Sequence, residues 1–94
     1  NLKALQEREA ASRALKRYQE VAQRLLGASA KPDDLVAWLK QLAQDLQIPS
    51  LSSWGLSEAH IPEAISKAKN ASSMKGNPVV LTDDELSEIL RKAL

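Results

Sequence analysis

One imidazole, two runs of carboxylates and one short polar loop are the places in this chain whose residue types and spacing bear on chemistry. The imidazole is His60, and histidine is the side chain whose charge changes near neutral pH. It lacks a nearby nucleophile. Ser57, one helical turn before it, reads as a local cap, so His60 is expected to be a surface or capping residue rather than a reacting one. The carboxylates stand at Asp33-Asp34 and at Asp83-Asp84-Glu85. Both runs fall at helix starts, where the dipole and unpaired N–H groups stabilise acids. No further ligands are spaced to complete a cation site. Gly27, Gly55 and Gly76 lie too far apart to form a loop that cradles phosphate. The remaining stretch, Ser72 to Pro78, combines serines, Met74, Lys75, Gly76 and Asn77. A turn needs only a Gly or an Asn-Pro, not a polar run holding both. Loops of this kind between two helices are where binding residues are often placed.

The bulk composition narrows the function classes. The chain has 94 residues, 44% hydrophobic and 27% charged, which suits one small soluble-type domain over residues 1–94. It has no cysteine, so disulfides, thiolate metal sites and cysteine nucleophiles are excluded. A single histidine cannot build a multi-histidine metal site, and Tyr18, Trp38 and Trp54 are too few for a base-stacking platform. The net charge is +1, and Lys3, Arg8, Arg13, Lys16, Arg17 and Arg24 interleave with Glu7, Glu9 and Glu20. That pattern is a solvated helix face, so neither nucleic acid nor an anionic membrane is an expected partner. No run approaches the length of a membrane span, and no secretory leader is visible. The expected location is the cytoplasm.

Helices must position the polar loop. Leu15, Tyr18, Val21, Ala22, Leu25 and Leu26 recur at spacings of three and four, predicting a helix over 3–26 that Gly27 stops. Its apolar face thins to alanines between Leu5 and Leu15, where it is expected to fray or bend. Pro32 opens a second helix over 32–47, with the clearest stripe in the sequence: Leu35, Val36, Leu39, Leu42, Ala43 and Leu46. Pro49 ends it by forcing Ile48 out of helical geometry. The loop that follows carries Leu51, Trp54 and Leu56, which are expected to tuck under a neighbouring helix. Ile61, Ala64, Ile65 and Ala68 predict a helix over 61–72. Thr82 with Glu85 forms a capping box that opens a last helix over 82–93. Val79-Val80-Leu81 is too short and isolated to count as a strand. The fold class is all-α, a small bundle of four to five helices.

Several of these segments, in this order, resemble the C-terminal end of the iron-containing (group III) alcohol dehydrogenases. The resemblance is carried by Gly55-Leu56, Ile61-Pro62, Gly76-Asn77-Pro78 and Thr82-Asp83-Asp84-Glu85-Leu86. Upstream, Arg17-Tyr18-Gln19-Glu20-Val21-Ala22 is similar to the family's "Arg-Tyr-x-x-Val-Ala" helix. Leu46-Gln47-Ile48-Pro49 is similar to its "Leu-Gly-Ile-Pro" turn, with Gln47 where the family usually has Gly.

The resemblance implies that the chain is part of the C-terminal helical domain of a dehydroquinate synthase-like fold. It further implies a longer parent that oxidises alcohols or reduces aldehydes with NAD(P) and Fe2+, or sometimes Zn2+. The family's metal ligands, one Asp and three His, and its dinucleotide-binding glycines lie upstream of the matching region. No catalytic, cofactor-binding or metal-binding residue therefore carries over. The implied partners are the N-terminal nucleotide-binding domain and the metal-binding helices, and an isolated piece is expected to be inert and to self-associate. In the family the small-residue loop before Asn-Pro borders the active-site cleft. By that match Ser73, Met74 and Lys75 are expected on the cleft wall, with Gly76, Asn77 and Pro78 fixing the path of the loop. The other reading is a free-standing helical interaction module with no enzymatic role. The module should have a polar surface or one defined groove; the piece should expose an apolar face.

Overall fold

The computed structural model describes residues 1–94, and the chain is all-helical. Five α-helices run in order: α1 Leu2–Arg8, α2 Arg13–Leu26, α3 Pro32–Asp45, α4 Ile61–Asn70 and α5 Asp83–Ala93. Short 3₁₀ turns occupy Leu51–Trp54, Glu58–His60 and Ser72–Gly76. The segment Val79-Val80-Leu81 forms no strand. No helix is long and apolar enough to cross a membrane. The chain packs as two compact units, Asn1–Ile48 and Pro49–Leu94.

In the first unit, the helix expected over 3–26 breaks within the stretch between Leu5 and Leu15 where its apolar face thins, and the chain makes two helices. Ser12 takes extended backbone, and its hydroxyl accepts a hydrogen bond from the Ala14 N–H at 3.3 Å. A serine in that geometry starts a helix rather than continuing one. The break lets α1 pack against α2 and bury Leu2, Ala4 and Leu5, the last completely. Fully burying a leucine contributes roughly 1.5–3 kcal/mol. The alanines around the break have little apolar area to lose by leaving the helix.

Helices α2 and α3 pack around Ala22, Ala30 and Leu35, with Tyr18 against that cluster. Two glutamines pin the link between them: Gln19 Nε2 donates to the Ala30 carbonyl at 2.6 Å and Gln23 Nε2 to the Ala28 carbonyl at 3.1 Å. Gly27 takes φ +111°, a region that other residues reach only with strain. Pro32 stands in the first turn of α3, and the Lys31 N–H donates to the Asp34 carboxylate at 2.7 Å. Gln6 Nε2 donates to Asp33 at 3.3 Å, so both acids work at the helix start.

The C-terminal end of α3 closes on an unusual residue. The Ile48 N–H reaches back to the Ala43 carbonyl at 3.0 Å, and between them Gln47 takes φ +52°. This is a left-handed C-terminal cap, a position usually filled by glycine. The apolar stripe of α3 is also only partly used. Leu35 is buried, yet Leu39 and Leu46 stand 51% and 64% exposed, as does Ile48 past the cap at 62%.

The second unit is built on Ile61, Ile65 and Leu86, with Met74, Leu81, Leu90 and Leu94 packed around them. Helix α4 ends at Asn70 rather than continuing to residue 72. The Asn70 amide donates to the Ser66 carbonyl at 2.9 Å, and Ala71 is extended. Serines 72 and 73 compete with the backbone for hydrogen bonds and disfavour helix, so the chain tightens there into a 3₁₀ turn. Helix α5 starts on the capping box: Thr82 Oγ1 accepts from the Glu85 N–H at 3.2 Å, and the Thr82 N–H donates to the Glu85 carboxylate at 2.7 Å. Leu56 is half-buried, but the expected tucking of its loop fails at Leu51, which is exposed, and most clearly at Trp54, which is 78% exposed. That loop is held instead by its serines, with Ser50 and Ser52 hydroxyls 2.7 Å apart and Ser52 Oγ donating to the Leu94 carbonyl at 2.6 Å.

Candidate functional site

His60 ends the turn leading into α4, and its ring serves the backbone. Nδ1 accepts from the Ser57 N–H at 3.1 Å and lies 2.9 Å from Ser57 Oγ. The pair closes a capping box in place of the usual Ser/Glu combination. A ring nitrogen taken by a backbone donor does not activate a nucleophile. The carboxylate runs behave similarly: Asp33 and Asp34 hold the start of α3, and Asp83 receives the Lys69 ammonium at 2.7 Å at the start of α5.

The polar loop has a shape of its own. Its 3₁₀ turn is fixed at one end by the Met74 N–H donating to Ala71 and at the other by the Asn77 N–H donating to Met74, at 3.1 and 3.2 Å. The Asn77 side-chain amide adds a contact to Met74 Sδ at 3.4 Å. This holds the thioether over the Ile61/Ile65/Leu86 core and leaves an open hollow of about 250 Å³ beside it. Met74, Lys75 and Asn77 line one side of the hollow, and Val79, Val80, Leu81 and Lys69 complete it. Val79 is buried at 5%, Leu81 is half-buried, and Val80 stands at the rim with 87% of its surface exposed.

Of the loop residues expected on a cleft wall, the structure brings Met74, Lys75 and Asn77 to the hollow. Ser73, Gly76 and Pro78 are exposed and do not line it. Gly76 has no left-handed φ, and an added Cβ there would meet nothing within 4 Å, so the turn does not require a glycine at this place. Sequence reasoning passed over Lys69 and the Val79-Val80-Leu81 run. The signal for the latter was a patch of β-branched residues just after a proline, too short for a strand and unclaimed by any helix.

The hollow holds no paired acid and base. Its lining holds apolar side chains, one amide and two ammonium groups, with no carboxylate, imidazole or hydroxyl. No group of three or more His, Cys, Asp or Glu side chains comes together in a way that could hold a metal ion. The donor set therefore does not fit iron, and the scattered glycines do not fit a dinucleotide phosphate.

Fold and site together give an all-helical chain with an open, partly apolar hollow beside the loop at Ser72–Pro78. The "Fe-containing alcohol dehydrogenase family, C-terminal" model matches residues 4–94, and the chain belongs to that family. No curated protein and no solved structure matches it. The all-helical architecture agrees with the helical C-terminal domain implied by the motif order.

Proposed function

We propose that this chain is the helical C-terminal part of an NAD(P)-dependent, metal-dependent alcohol dehydrogenase, where it walls the substrate cleft and is inert alone. The observation that carries this reading is the hollow beside Met74, built in part from the loop that the resemblance expects beside the cleft, in a chain whose family match spans residues 4–94. In such an enzyme the nicotinamide carries hydride and the metal, Fe2+ or Zn2+, polarises the alcohol or aldehyde oxygen. No step of that chemistry runs through a residue of this chain. Its own contribution is to present Met74, Val79 and Leu81 as an apolar wall and to exclude water from one side of the substrate.

The unused stripe of α3 supports a chain that belongs with more protein. Leu39 and Leu46, seven residues apart on the stripe, and Ile48 beyond the cap are exposed apolar side chains of the kind that mark an interface. We assign it to the metal-binding helices and nucleotide-binding domain of the parent, and to self-association when they are absent. The same reading places the enzyme in the cytoplasm, which cell fractionation tests. A free-standing interaction module would leave the hollow without a role. Isothermal titration of the chain with Fe2+, Zn2+, NAD(H) and NADP(H) should show no saturable binding. A stoichiometric metal or nucleotide site would overturn the proposal.

A further inference from the structure

The charge of the hollow and its apolar lining differ from what a wall for plain alcohols needs. A site for an uncharged alcohol chain calls for apolar surface and little else. Here the apolar side of Met74, Val79 and Leu81 is flanked by two lysines, Lys69 on α4 and Lys75 on the loop. No carboxylate lines the hollow; the one acid that meets it indirectly is Asp83, paired with Lys69 at 2.7 Å. One ammonium is thus partly neutralised, while Lys75 has no acidic residue beside it in the lining.

We infer that the hollow takes a small organic anion: a carboxylate held by Lys75 and Lys69, with a short apolar chain laid over Met74, Val79 and Leu81. The inference rests on reading the hollow as part of the substrate cleft, and it narrows the substrate to alcohols or aldehydes that carry a carboxylate at their far end. The dimensions agree. At ~30 Å³ for each water-sized group, about 250 Å³ holds roughly eight heavy atoms, the size of hexanoate. Asn77 supports the arrangement by tethering the Met74 sulfur at 3.4 Å, which keeps the apolar wall in place beside the lysines. An exposed ammonium–carboxylate pair is worth a factor of up to about five; with Lys69 shared with Asp83, most of the attraction falls to Lys75, and the anion is favoured over its neutral analogue by about 2–5-fold. A ligand this small on an open surface binds with a dissociation constant on the order of millimolar.

The chain supplies its own probe, because Met74 is its only methionine. Carbon-13 methyl labelling gives a single methionine signal at the wall of the hollow. That signal is followed while the chain is titrated separately with hexanoate, hexanol and acetate. Hexanoate should shift it saturably, about 2–5-fold more tightly than hexanol and about tenfold more tightly than acetate, which leaves the apolar wall uncovered. Lys75→Gln, a change at an exposed position, should remove most of the preference over hexanol. Equal binding of hexanoate and hexanol, or an unchanged preference in Lys75→Gln, overturns the anion and leaves a neutral alcohol wall standing. No saturable shift with any of the three overturns both the anion and the cleft-wall reading.

Discussion

Replacing Gln47 by glycine should stabilise this chain. Gln47 holds φ +52° at the end of α3, where the Ile48 N–H bonds back to the Ala43 carbonyl. A residue with a Cβ in this left-handed conformation is strained by about 1–2 kcal/mol relative to glycine. Glycine gives back about 0.4–1 kcal/mol through the extra freedom of its unfolded chain. The mid-values of these ranges leave a net gain of about 0.5–1 kcal/mol for Gln47→Gly. For a chain of this size, each kcal/mol moves the melting temperature by about 4–8 °C. Thermal unfolding followed by circular dichroism should therefore show a rise of about 2–8 °C. Gln47→Ala is the control: alanine keeps the Cβ strain, so its midpoint should stay near that of the parent. A fall in stability for Gln47→Gly, or an equal gain for Gln47→Ala, would refute the left-handed cap. The motif order also marks this position, since the family turn similar to Leu46-Gln47-Ile48-Pro49 has glycine where this chain has glutamine.

Other expected outcomes follow from the same structure. Leu86→Ala removes a buried side chain from the centre of the second unit and should cost about 2–5 kcal/mol, read from urea unfolding; a loss below about 1 kcal/mol contradicts that packing. Thr82→Ala deletes the cap of α5 and should cost about 1 kcal/mol in the same assay, with Thr82→Ser restoring most of it. The chain should scatter light as more than its 10.3 kDa monomer, and Leu39→Lys with Leu46→Lys should return it to that mass without loss of helix. A monomer before substitution counts against the exposed α3 face as an association surface.

What could be read from the residues was mostly what neighbours along the chain decide. Thr82 with Glu85, Pro32 with Asp34, and Ser57 with His60 are local devices, and each works within a turn of where its residue types suggest. The break at Ser12 was legible only as a thinning of the apolar face between Leu5 and Leu15, where a bend was expected but not a full stop. Alanines on either side suit a continuous helix, and only the gain from burying Leu5 decides for two helices. Trp54 misled for the opposite reason: large apolar residues in loops usually find cover, and none is offered to it within Pro49–Leu94. The hollow divides the same way. Met74, Lys75 and Asn77 lie in a polar loop whose composition attracts attention. Lys69 and Val79 join them only because α4 and the approach to α5 pack on one core, a relation that no local pattern records.

The central claim is that this chain lines a substrate surface and supplies none of the reacting groups. Hydride transfer measures it most directly, through nicotinamide absorbance with Fe2+ or Zn2+ and a panel of alcohols and aldehydes, including acids with a terminal hydroxyl. The chain alone should give no change above the protein-free reaction. Turnover that scales with chain concentration and withstands repurification would contradict the account.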